Sequence, residues 1–190
     1  MRLQLLVIHV ILFLSCSSNP HYFLRDGKKF PLIMKVAVLP FKNITTQRGA
    51  GKVVTNIFIQ ELFNSRIYKI EEMGIIRDFF IRQRIREKGE IDLDTANLLG
   101  SQIDVDAVFL GIVEEYYQDA GGKEGISPRV GLSVRMLSTK TGMILWKCSH
   151  QRTGDDYKII LDWGKVRTVN LLAKKVIEEM IATIRKHGKE

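Results

Sequence analysis

The run Ile33-Met34-Lys35-Val36-Ala37-Val38-Leu39-Pro40-Phe41 constrains the fold more than any other stretch of this chain. It is apolar, rich in β-formers and bounded by Pro31 and Pro40, and its hydrophobic residues do not alternate with polar ones. A strand with one face in water alternates, whereas a continuous apolar run is buried on both faces, as in a parallel sheet. Parallel strands cannot be joined by tight turns, so a helical crossover has to follow. Val53, Val54, Ile57, Phe58, Leu62 and Phe63 supply it, recurring with helical period after a loop from Lys42 to Ala50.

The pattern then repeats. Ile67, Tyr68 and Ile70 form a short second strand, and residues 74–87 an amphipathic helix with Ile75, Ile76, Phe79 and Phe80 inward. Asp94 is placed to cap a further helix running to Gln102. Ala107 to Val113 is a third strand, followed by a polar, Gly-rich loop from Tyr116 to Arg129. Val130, Leu132, Val134 and Met136 alternate with Gly131, Ser133 and Arg135, which marks a one-sided strand. The turn Ser138 to Gly142 leads back into Met143 to Gln151 as an antiparallel hairpin, and residues 163–187 close the chain with a long amphipathic helix. The predicted order is β-α-β-α-α-β-β-β-α: an α/β domain over 33–190, with a mixed, mostly parallel sheet of about five strands flanked by helices.

The N-terminus carries a different message. Leu3 to Leu14 is apolar behind Met1 and Arg2, too short for the roughly 20 residues of a spanning helix. Leu12-Phe13-Leu14-Ser15-Cys16 resembles a bacterial lipoprotein signal, although Phe13 stands where such signals usually carry Leu. The resemblance implies cleavage after residues 1–15, lipid attachment at Cys16 and, since Ser17 is not Asp, sorting to the outer membrane. Residues 16–32 read as a short tether, whose extended reach is about 50 Å and whose coil span is about 20–25 Å. With Cys16 lipidated, Cys148 has no partner within the chain, and its place on a strand face with Ile144 and Trp146 makes it a buried, inert thiol. The net charge of +8, which drops by one when Arg2 leaves with the signal, points on an exported protein toward anionic envelope components rather than nucleic acid.

Three stretches resemble one family. Val36-Ala37-Val38-Leu39-Pro40-Phe41 is similar to the opening strand of the TolB N-terminal-like, CsgG-like and LpoB-like periplasmic domains. Ala96-Asn97-Leu98-Leu99-Gly100 with Val105 to Gly111 resembles their helix and central strand, and Val130 to Trp146 their final hairpin. The resemblance implies a fold and a location rather than a reaction. Curli-type channels of the CsgG kind need long membrane hairpins, and the segments 116–129 and 151–162 are too short to supply them. Activators of peptidoglycan synthases of the LpoB kind need a long tether, which this chain lacks. The expected role is therefore that of a lipid-anchored accessory or assembly component of an envelope or secretion system. It would be non-enzymatic, need no cofactor, work by protein contact and form homo-oligomers. A synthase activator and a small-ligand or anion-binding module are the alternatives.

Motifs with chemical content are few. Gly49-Ala50-Gly51-Lys52 sits where a phosphate-binding loop would, but that pattern needs Gly at 46 and a hydroxyl at 53, and this chain has Thr46 and Val53. What stays is a candidate anion contact of Gly49, Gly51 and Lys52 at a helix start. His21, His150 and His187 lack the spacing of metal ligands. Glu71-Glu72, Glu114-Glu115 and Asp155-Asp156 are adjacent pairs whose side chains diverge, read as solvated edges. Arg77, Arg82, Arg84 and Arg86, with Tyr116 and Tyr117, are candidates for a partner-binding surface.

Overall fold

The computed structural model describes residues 19–25, 34–85, 91–118, 127–159 and 163–187. Cys16, Arg86 and the signal lie outside them. Val36, Ala37 and Val38 have no exposed surface, as the uninterrupted apolar run requires. They form β2 (Lys35–Val38), which pairs in parallel with β4 (Lys69–Ile70) on one side and β5 (Ala107–Tyr117) on the other. Each crossover is helical: α1 (Ala50–Ser65) leads into β4, and α2 (Met73–Gln83) and α3 (Leu93–Ile103) lead into β5. From β5 the sheet continues antiparallel through β6 (Arg129–Ser138) and β7 (Ile144–Thr153), and α4 (Val169–His187) ends the chain. The cap of α3 is Asp92, not Asp94: its Oδ1 accepts from the Thr95 amide at 2.8 Å.

The domain is of the expected mixed α/β class, with helices flanking the sheet. Among the described residues the sheet has seven strands rather than about five, in the order β1 (His21–Leu24), β7, β6, β5, β2, β4, with β3 (Lys42–Asn43) on β5. The two additional strands are short and exposed. β3 (Lys42–Asn43) falls within the expected loop. β1 (His21–Leu24) falls within the expected tether and pairs antiparallel with β7. Neither shows a buried periodicity, because an edge strand held by backbone hydrogen bonds needs none. The sheet is also less parallel than expected. Its parallel ladders run for two or three residues, whereas β5–β6 and β6–β7 pair almost end to end.

The two faces differ. On one, α1 and α4 bury a row of aromatic rings: Phe41 to Phe58 at 5.1 Å, Phe58 to Phe109 at 5.4 Å and Phe109 to Trp146 at 6.1 Å between centroids. Trp146 donates its indole N–H to Thr183 Oγ1 at 3.0 Å, so its only polar atom is satisfied in the core. Cys148 lies on this face, fully buried, its thiol pushed up to about 12 by burial against a smaller opposing hydrogen bond from Thr183. On the other face, α2 and α3 pack on Ala37, Leu39, Val108, Leu110 and Leu137. Beyond those residues Ile112, Ser133, Arg135, Lys147 and Ser149 are only half-buried or exposed.

Two substitutions probe this packing. A Cβ on Gly111 would lie 2.5 Å from the Phe41 ring, which is itself locked against Phe58. Gly111→Ala should cost about 1–3 kcal/mol as overpacking, read by denaturant unfolding. Tyr68 Oη is buried, has no hydrogen-bond partner among the described residues and titrates above the ordinary tyrosine range because of that burial. Tyr68→Phe should raise stability by about 1 kcal/mol in the same assay.

Candidate functional site

The surface with the most structure-specific chemistry lies where β7 ends. Along β7 the core-facing positions are Trp146, Cys148, His150 and Arg152, so the side chains turn polar while the strand keeps its parity. Glu179 of α4 answers them. Its carboxylate accepts from His150 Nε2, from Arg152 Nε at 3.0 Å and from Tyr157 Oη at 2.8 Å. Because the carboxylate only accepts, the His150 proton sits on Nε2. Lys175 Nζ lies 4.9 Å and Arg152 Cζ 5.8 Å from the centre of the Tyr157 ring. Desolvation alone would raise the Glu179 carboxyl, but three donated hydrogen bonds and the Arg152 charge outweigh it and hold it at about 2.

This polar cluster supports a rigid loop. Thr153 and Asp156 form a reciprocal capping box around the 3₁₀ turn Gly154–Tyr157. Gly154 is clamped from two sides: its amide donates to Pro128 O at 2.9 Å and its carbonyl accepts from the Val166 amide at 3.0 Å. A Cβ there would lie 2.1 Å from Val166 O, so only glycine fits. Lys165 pairs with Asp155 at 2.9 Å, and Ser127 hydrogen-bonds the same carboxylate. Gln118 reaches across to accept from the Val169 amide at 2.6 Å. The Ile159 amide donates to Trp163 O at 2.8 Å, which brings these two side chains to one tip. Trp163 is 80% and Ile159 73% exposed, the two most exposed large hydrophobic residues among those described. Asn19 and His21, at the start of β1, line a cleft of about 460 Å³ with Arg152, Thr153 and Asp156 beside this loop.

The sequence candidates are scattered by the fold. Gly49 takes a left-handed φ of 81° at the start of α1, and Gly51 lets the helix approach to where a Cβ would be 2.6 Å from Phe41 O. Gly49 thus has a conformational role and Gly51 a packing one, and Lys52 is exposed beside them. Arg77, Arg82 and Arg84 are exposed on α2 and its C-terminal cap, whereas Arg86 is outside the described residues. Tyr117 is exposed and lies under the Arg129 guanidinium, 5.1 Å away. Tyr116 is corrected: it is a core residue whose hydroxyl meets Asn170 Oδ1. A bulge between Val113 and Glu115 shifts the strand by one residue and turns Tyr116 inward. The adjacent acidic residues do diverge, but they are paired rather than merely solvated. Glu71 is buried on Lys35, Glu114 accepts from Ser133, and Glu115 pairs with Arg129.

The linkage at Glu179 has a definite sign. Its folded-state carboxyl lies below the unfolded value of about 4.3, so its stabilisation is complete above that value and disappears as pH falls toward about 2. Thermal unfolding of the wild type should therefore weaken between about pH 5 and pH 2, and Glu179→Gln should flatten that dependence. At neutral pH the same variant should lose about 2 kcal/mol, less than a fully buried pair because the carboxylate is partly solvated.

No protein-family model matches the sequence, and no curated protein matches it either. Solved structures do match in three dimensions. PelC from Paraburkholderia phytofirmans, described as a dodecamer, aligns over 90% of this chain and 99% of its own, with 18% identity and a TM-score of 0.62. The lipoprotein GNA1162 from Neisseria meningitidis covers 63% of this chain and 80% of its own at 18% identity and a TM-score of 0.52. The hypothetical protein CT253 from Chlamydia trachomatis covers 82% of this chain and 98% of its own at 13% identity, also with a TM-score of 0.52. These similarities show that the chain shares its fold with them, over 63–90% of its length.

Proposed function

We propose that this chain is a lipid-anchored, non-enzymatic envelope protein, held against the outer membrane at one end and acting by protein contact as an assembly subunit, itself homo-oligomeric. The observation that carries the reading is where β1 begins. Asn19 lies only three residues after Cys16, in the cleft beside the loop that displays Trp163 and Ile159. Three residues span at most about 10 Å. A lipid on Cys16 and an exposed tryptophan then meet the membrane from the same end, and Trp is the side chain that best occupies the headgroup region. Arg167, exposed four residues after Trp163, suits anionic headgroups. No helix among the described residues is long and apolar enough to cross a membrane. The likeness to a dodecameric subunit over that subunit's full length supports self-assembly, and the likeness to a lipoprotein supports anchoring.

The chain has two tryptophans, and Trp146 is fully buried, so quenching by brominated lipid reports on Trp163. The full chain reconstituted in vesicles with brominated acyl chains should lose tryptophan emission, and Trp163→Phe should leave the residual emission unquenched. Wild type should also incorporate a palmitate analogue that Cys16→Ser does not. Absence of both quenching and label would remove the anchoring reading. Light scattering of the detergent-solubilised protein should give a multiple of the protomer mass; a monomer at all concentrations would end the assembly reading. Crosslinking in intact cells that enriched penicillin-binding proteins instead would favour a synthase activator.

A further inference from the structure

The open half of the sheet carries an unbalanced pair of cations. Arg135 of β6 and Lys147 of β7 are directly opposite in register. Their neighbours Val134, Met136, Trp146 and Cys148 are all buried in the α1/α4 face, so both cations project from the other face. Like charges directly opposite on adjacent strands are destabilising. Other cations of this domain are neutralised locally: Arg129 by Glu115, Lys35 by Glu71, Lys165 by Asp155 and Arg152 by Glu179. Arg135 and Lys147 make no hydrogen bond or ion pair among the described residues. They line a cavity of about 180 Å³ whose floor is Leu110 and Ile112, with Ser133 and Glu114 at its far end. Glu114 is engaged by the Ser133 hydroxyl at 2.7 Å, and Ser133 also contacts Ser149 Oγ at 2.8 Å.

We infer that this cavity is a binding site for a phosphate monoester group, gripped between Arg135 and Lys147. Two cations, set against the single Glu114 carboxylate at the far end, draw an anion to their own end: the guanidinium offers a planar fork to two phosphate oxygens, and the ammonium adds a point charge. The apolar floor removes water from one side of the group and strengthens both contacts. The volume accommodates a phosphate and a few attached atoms rather than a polymer. Glu114 and the Ser133–Ser149 hydroxyl pair at the other end offer hydrogen bonds to a hydroxylated carrier of that phosphate. The site shares Glu114 with the cleft beside the loop of Trp163, whereas Arg135 and Lys147 line only this cavity.

The test uses the full chain in a neutral detergent at low salt. Titration calorimetry with inorganic phosphate should show saturable binding that weakens about tenfold in Arg135→Gln and in Lys147→Gln and is lost in the double variant. Arg129→Gln, which removes a cation already paired with Glu115, should bind as wild type does. In phosphate-free buffer the double variant should melt at or above the wild-type temperature, because the like-charge opposition is gone. Vesicles of phosphatidylcholine with and without phosphatidic acid separate the sources. Phosphatidic acid selectivity lost in the double variant places the phosphate on a lipid, and phosphate binding without that selectivity places it on a soluble ester. The inference fails if the wild type binds neither probe, if the double variant binds phosphate like wild type, or if the double variant melts below wild type.

Discussion

Everything in this domain is arranged about β5. It is the strand that accepts parallel partners on one side, β2 and β3, and an antiparallel one, β6, on the other. That position requires its first half to be buried on both faces, and Ala107, Val108, Phe109 and Leu110 are. Phe109 stands at the centre of the aromatic row, within ring contact of Phe58, Tyr68 and Trp146. It thereby joins the strand to α1, to the loop before β4 and to the hairpin. Gly111 then opens the space that the Phe41 ring fills. Past Gly111 the demand changes, because the strand leaves the cover of α2 and α3 and has only one face to bury.

What the sequence revealed follows that division. The double-sided burial of β2 and the first half of β5 writes itself as unbroken apolar runs, and the amphipathic helices write themselves as periodicity. The hairpin alternation was legible as well. What escaped was structure that needs no apolar pattern. β1 and β3 are held by backbone hydrogen bonds at the margins, with exposed side chains. β5 continues past Val113 through a bulge that reverses its parity, so Tyr116, read from sequence as the start of a loop, lies inward in the strand. The Glu179 cluster escaped for a related reason. Its members come from a strand, a turn and a helix, and each alone looks like a surface residue. The available signal was parity: His150 and Arg152 continue the Trp146 and Cys148 face, so polar groups on that face had to be satisfied inside the protein.

The pairing of β1 with β7 changes the mechanical meaning of the N-terminal segment. With the proposed lipid on Cys16, an unstructured 16–32 would let the domain wander tens of ångströms from the membrane. Fixing His21–Leu24 in the sheet leaves only the residues between Cys16 and Asn19 to span, and it fixes which end of the domain they leave from. At that end the turn Gly154–Tyr157 is braced by a capping box, by the ion pair of Asp155 with Lys165 and by the hydrogen bond from Tyr157 to Glu179.

The open half of the sheet has a geometric origin. β6 and β7 are each ten residues long, about 33 Å. α2 and α3 are each eleven residues long, about 16 Å even if laid straight along the strands. They cannot cover the length of the hairpin, whereas α1 and α4, at sixteen and nineteen residues, reach about 24 and 28 Å and nearly do. The helices on one face therefore complete a core, and those on the other stop at Leu110 and Leu137. Past that line the outward positions of the hairpin become serine, arginine, lysine and glutamine. Arg135 lies just beyond the edge of α3's cover, where an apolar wall still borders it on one side. A cation at such a boundary is more weakly hydrated than one in open solvent, and so it attracts an anion more strongly than the same residue elsewhere on the surface.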